Sequence, residues 1–139
     1  MNYVEAVTCI KNEKRCYLEE WVAYHYFLGI DHFTFYNGGD PIAPLPHSTI
    51  IDWPGTAQQL PCLRDFCYTR RPCKWAAMFD VDEFIVPHAW RTIPEMLADY
   101  EDVGGLCINW LDFGSDGQPD DERPQVEKFT RRSLPSFRL

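Results

Sequence analysis

Residues 3–10 alternate well enough for a strand, and the pattern changes at the polar run Lys11-Asn12-Glu13-Lys14. Leu18, Trp21, Val22, His25 and Leu28 then recur at helical spacing. This predicts a strand, a polar loop and an amphipathic helix with Gly29 as its C-terminal cap. The aromatic, β-rich run 32–36 predicts a second strand. Asn37-Gly38-Gly39-Asp40, followed by Pro41, Pro44 and Pro46, predicts a turn and an irregular loop. A short strand over 49–53 is closed by Pro54-Gly55. Over 56–70, Leu60, Leu63 and Cys67 among polar neighbours predict a second helix, with Pro61 acceptable in its first turns.

An apolar run, Trp75-Ala76-Ala77-Met78-Phe79, then stops at Asp80-Val81-Asp82-Glu83 and resumes as Phe84-Ile85-Val86. If the strand continues through Val81, Asp80 and Asp82 project to one side. Paired carboxylates at the end of a core strand repel each other and resist desolvation, so they face solvent or hold a cation between them. Further on, Thr92 and Glu95 match a capping box before Met96, Leu97 and Tyr100, in a helix ended by Gly104-Gly105. Strands are predicted over 106–110 and 126–130, with a loop over 112–125.

Strands and helices thus alternate through a single domain over 1–139, predicting an α/β class: a mixed, mainly parallel, Rossmann-like sheet flanked by helices. In such sheets ligands bind beyond the carboxyl ends of strands, where the loops at Lys11-Asn12-Glu13, Asn37-Gly38 and Asp80-Val81-Asp82 would gather.

Composition narrows the functional classes. A formal net charge of -8 argues against a nucleic-acid partner, and an anionic substrate would need a local cation. A hard divalent cation with oxygen ligands, held at Asp80 and Asp82, would meet that need. The six cysteines form no Cys-x-x-Cys pair, which points away from a zinc ribbon or thioredoxin-type site. The amino terminus lacks a basic region with an apolar run behind it, and no stretch approaches the roughly 20 apolar residues of a transmembrane segment. The expected location is the cytoplasm, or a membrane-associated or Golgi site if a longer chain carries an anchor.

Five blocks in order carry a resemblance: Val7-Thr8-Cys9-Ile10-Lys11-Asn12-Glu13; 17–25, from Tyr-Leu-Glu-Glu-Trp to His; Leu28-Gly29-Ile30-Asp31-His32-Phe33; Phe79-Asp80-Val81-Asp82-Glu83-Phe84; and 108–117, with its Trp-x-x-Phe-Gly-Ser segment. Together they resemble glycosyltransferases of the GT-A fold, of the family 2 and family 92 type. The resemblance implies transfer of a sugar from a nucleotide-diphosphate sugar donor to the hydroxyl of a glycan, lipid or protein acceptor, with inversion. It implies that Asp82 ligates Mn²⁺ or Mg²⁺ and that Asp80 reaches the metal or the ribose. It also implies donor contacts from Asn12, Glu13 and Asn37. Asn37 stands where the family commonly carries an acidic residue. Members usually continue past the Gly-Ser segment, so the chain is expected to be C-terminally incomplete.

An inverting transfer needs a carboxylate to take the acceptor proton. Asp112 and Asp116 are candidates by location, although Asp in such a loop is commonly a turn former. His25, on the stripe with Leu18 and Trp21, reads as a core histidine. Two alternatives stand beside the transferase: a non-catalytic nucleotide-binding fragment, and a haloacid-dehalogenase-type phosphohydrolase with Asp80 as nucleophile. The second ordinarily has Thr or Val where Phe84 stands, and its motif lies near the start of the domain.

Overall fold

In the computed structural model, which describes residues 1–55, 59–70, 73–115, 117, 119, 121 and 123–132, four strands form one parallel sheet. They are β1 (Asn2–Ile10), β2 (His32–Asn37), β3 (Ser48–Asp52) and β4 (Cys73–Met78), in the spatial order β3-β2-β1-β4. Helix α1 (Arg15–Phe27) connects β1 to β2. After β3, α2 (Gln59–Asp65) and a π-helical turn (Phe66–Arg70) precede β4, which lies on the opposite side of β1. The strand order therefore reverses between β1 and β4.

Side-chain alternation along β1 divides the core in two. Val4, Ala6 and Ile10 join Phe33 and Phe35 of β2, Leu18, Trp21 and Val22 of α1, and Ile93, Met96 and Leu97 of α3 (Ile93–Ala98). Val7 faces the other way and packs with Tyr36, Cys62 and Phe66. Helices thus cover both faces, as a parallel sheet requires. The mixed α/β class with a parallel sheet follows the sequence reading.

The end of α1 is a Schellman motif: Ile30 N–H donates to His25 O (3.0 Å) and Gly29 N–H to Tyr26 O (3.0 Å). Gly29 has φ +95°, and an added Cβ would lie 2.8 Å from Pro94 Cδ, so both backbone and packing demand glycine. Thr92 caps α3 by accepting from Glu95 N–H at 3.2 Å, as the capping box predicts. That helix ends at Ala98 rather than at the Gly pair.

Three expectations are corrected. Strand β4 stops at Met78, so the strand conformation does not carry through Val81. Residues 106–110 are not a strand; Ile108 and Trp110 are exposed. Residues 126–130 are not a strand either: Gln125–Lys128 form the short helix α4, and pairing is confined to β5 (Phe113–Gly114) against β6 (Arg131–Arg132). Apolar composition alone did not distinguish these segments from core strands.

Candidate functional site

Because all four strands are parallel, the loops after β1, β2, β3 and β4 leave the same end of the sheet. The loop after β4 lies at the point where the strand order reverses, between β1 and β4. That crevice is where open α/β sheets bind ligands.

Asp80–Glu83 is a turn closed twice. Glu83 N–H donates to Asp80 O (3.1 Å), and Asp80 N–H donates to Glu83 Oε2 (2.8 Å). Asp80 and Asp82 are exposed, while Gln59 Nε2 at the start of α2 donates to Asp80 Oδ1 (3.0 Å). Desolvation, then the Asp82 charge, pushes the Asp80 carboxyl above its ordinary range. Glu83 is also pushed up, chiefly by desolvation and then by Asp80 and Asp82, against the bond from Asp80 N–H. Negative charge is therefore concentrated in one short turn.

Helix α1 holds this turn from beneath. Phe79 lies 4.9 Å from Trp21 and 4.8 Å from His25, centroid to centroid, and Phe84 lies 5.2 Å from Tyr24. These two phenylalanines anchor the flanks of the acidic turn, which accounts for an apolar residue on each side. Trp21 Nε1 donates to Glu83 O (2.9 Å), and Tyr24 OH donates to Ile85 O (3.1 Å). His25 Nε2 accepts from Ile85 N–H (3.2 Å), so its Nδ1–H donates to Trp21 O (2.8 Å). Burial holds His25 neutral, its pKa lowered to about 4. The expected core histidine is thus also a backbone clamp.

The neighbouring loops are packed more closely. Asn12, at φ +63°, offers Oδ1 to Asp40 N–H (2.8 Å). Asn37 Oδ1 accepts from Gly39 N–H (3.0 Å) and its Nδ2 donates to Asp40 O (2.8 Å). Glu13 Oε2 accepts from Lys11 N–H. The structure thus brings Asn12 and Asn37 together through the 38–40 loop, with their side chains bonded to protein backbone. Beside that loop, Asn37, Pro41, Ile42, Ile50 and Asp52 help line an open cleft of about 490 Å³.

Asp112 lies on an exposed stretch just before β5, and Asp116 lies outside the described residues. Residues missed in the sequence are Gln59, which reaches Asp80, and Trp21 and Tyr24, which hold the flanking backbone. Trp21 and Tyr24 lie about 60 positions from their partners, and no local pattern carries that signal.

Among the described residues no three His, Cys, Asp or Glu side chains are grouped to hold a metal ion. Two carboxylates remain, a set that suits Mg²⁺ or Mn²⁺ when waters and phosphate oxygens complete the shell, and does not suit an all-protein cage. Among the described residues no helix is long and apolar enough to cross a membrane. Comparisons with models of known families, with characterised proteins and with solved structures found no match.

Proposed function

We propose that the chain is a GT-A-type glycosyltransferase domain that binds a nucleotide-diphosphate sugar with Mn²⁺ or Mg²⁺ at Asp80 and Asp82. The observation that carries this reading is the acidic turn at the strand-order reversal, exposed at its carboxylates and clamped along its backbone. The five ordered sequence blocks support the same assignment. A phosphate-rich ligand and an acidic turn repel unless a cation lies between them, so diphosphate binding there is metal-dependent.

In this reading Asp82 holds the metal, and Asp80, oriented by Gln59, shares it or meets the ribose. The bound metal supplies Lewis-acid neutralisation of the departing nucleoside diphosphate. Trp21, Tyr24 and His25 keep the turn from moving as charge accumulates against it, since preorganised groups lower the reorganisation needed at the transition state. Asn12 and Glu13 border the donor on the β1 side. Asp112 and Asp116 are the candidates for taking the acceptor proton.

Calorimetric titration with uridine and guanosine diphosphates, with and without Mn²⁺, tests the proposal. Binding is expected only with the metal, and Asp82→Ala should abolish it while leaving unfolding free energy within about 0.5 kcal/mol of the parent. Metal-independent binding, or none in the parent chain, overturns the reading. Transfer of sugar from a radiolabelled nucleotide sugar to water or to a glycan acceptor then tests catalysis.

A further inference from the structure

Helix α4 has four residues, far fewer than the roughly 12 at which even a favourable isolated helix becomes marginal in water. Its conformation therefore depends on what it touches. Two of its polar side chains, Gln125 and Lys128, are nevertheless buried, at 5% and 3% exposure. A buried amide and a buried ammonium are tolerated only when they are bonded.

Both are bonded, to different partners. Toward α1, the Glu20 carboxylate accepts from Gln125 N–H (2.7 Å) and Val126 N–H (3.2 Å). Lys128 Nζ donates to Tyr17 OH (2.6 Å) and to Asp121 O (3.0 Å), and lies 3.7 Å from the Asp121 carboxylate. Toward the acidic turn, Gln125 Nε2 donates to Val81 O at 3.2 Å. Val81 stands between Asp80 and Asp82, and its carbonyl belongs to the peptide that precedes Asp82. A donor fixed on that carbonyl restricts the peptide plane, and with it the direction in which the Asp82 side chain leaves the turn.

We propose that α4 is a brace for the acidic turn, with Gln125 a positioning residue that holds the Val81–Asp82 peptide while Glu20 and Lys128 clamp α4 to α1. The brace couples residues more than 40 positions apart and bonds a different part of the turn from Gln59, which reaches the Asp80 carboxylate. Its consequence for ligand binding rests on the transferase reading; the clamp itself does not.

Amide hydrogen exchange on the whole chain, read at Asp80 and Glu83, reports the turn directly, because both amides are bonded within it. Gln125→Leu keeps bulk but removes the donor. Gln125→Glu keeps shape but, when ionised, turns an acceptor toward the Val81 carbonyl. Each should accelerate exchange at Asp80 and Glu83 about five- to tenfold, the loss of one hydrogen bond, without changing amides in β1 and β2. Glu20→Ala should do the same by releasing α4. Affinity for uridine diphosphate with Mn²⁺ should fall by a similar factor.

Parental exchange at both amides in both Gln125 variants overturns the brace. Uniform acceleration through β1 and β2 also overturns it, since that is global destabilisation. Selective acceleration with unaltered nucleotide affinity, in a parent that binds, overturns the positioning role. A parent that binds no metal–nucleotide overturns the transferase reading, and the exchange rates then decide the brace alone.

Discussion

The loops after β2 and β4 leave the same end of the sheet and are both polar, but they use their polar groups in opposite ways. After β2, Asn37 folds its amide back onto Gly39 and Asp40, and Asn12 crosses from the β1 loop to bond Asp40 N–H. After β4, the turn is closed by Glu83 and by backbone, while Asp80 and Asp82 stay exposed. The first loop has satisfied these side chains internally and behaves as a structural seam. The second has its scaffold satisfied and its charge left outward. The polar side chains of the β2 loop are thus committed to protein backbone, whereas the frame of the β4 turn is bonded independently of the carboxylates it leaves outward.

The largest expected effect removes the frame of the β4 turn. Trp21 is fully buried, contacts Phe79 and His25, and donates to Glu83 O. Trp21→Ala should cost about 3–5 kcal/mol in chemical denaturation. Trp21→Phe, which restores most of the ring but not the donor, should recover part of the stability and leave the Glu83 carbonyl unpaired. If Trp21→Phe is as stable as the parent, the indole N–H does not hold the turn.

Next is the His25 clamp. Its pKa falls from 6.5 in the unfolded chain to about 4 in the fold, so between those values the unfolded state binds the extra proton. Stability from this group is fully present above pH 6.5 and is lost as pH falls toward 4, by about 3 kcal/mol. Unfolding curves from pH 7 to 4 should show this slope, and His25→Gln should remove it. A variant that retains the slope assigns it to other groups.

The seam is probed by Gly39→Ala, which would place Cβ 2.2 Å from Asn12 Oδ1 and 2.8 Å from Asn12 N. One neighbour is backbone, so the loops must separate, at about 1–3 kcal/mol by thermal unfolding. If the β2 loop is a seam, nucleotide binding should change less than in Asp82→Ala. Equal loss in both would erase the distinction between the loops.

The smallest effect is Asp80→Asn. Burial and the Asp82 charge raise the Asp80 pKa, so neutralising it should stabilise the fold by a few tenths of a kcal/mol at pH 7, discounted for solvent screening. The gain should shrink as pH falls and the native carboxyl protonates. Metal-dependent binding should weaken in the same variant, giving opposite signs for stability and ligand affinity. Destabilisation instead would mean that the Gln59 bond outweighs the repulsion.

Much of the fold was legible where periodicity, cap and turn chemistry agreed. The strands at β1 and β2, the α1 stripe, the Gly29 cap and the Thr92 cap follow from local spacing, because local geometry determines which residues share a face. The run over 106–110 resembled a strand by composition and is exposed and irregular, because apolar residues form a sheet only beside a partner strand. The acidic turn was visible as an interruption, while its release from β4 at Met78 was not.

From the sequence alone came the α/β class and the acidic interruption with its apolar flanks at Phe79 and Phe84, since each is encoded by neighbours a few residues apart. Tertiary structure decided the strand order that sets the turn between β1 and β4. It also decided that Asn12 crosses to Asp40, that His25 is a neutral clamp on Ile85, and that Gln59 and Gln125 both reach the turn. These are pairings across 20 to 60 positions, and only the folded chain brings their donors within hydrogen-bonding distance of their acceptors.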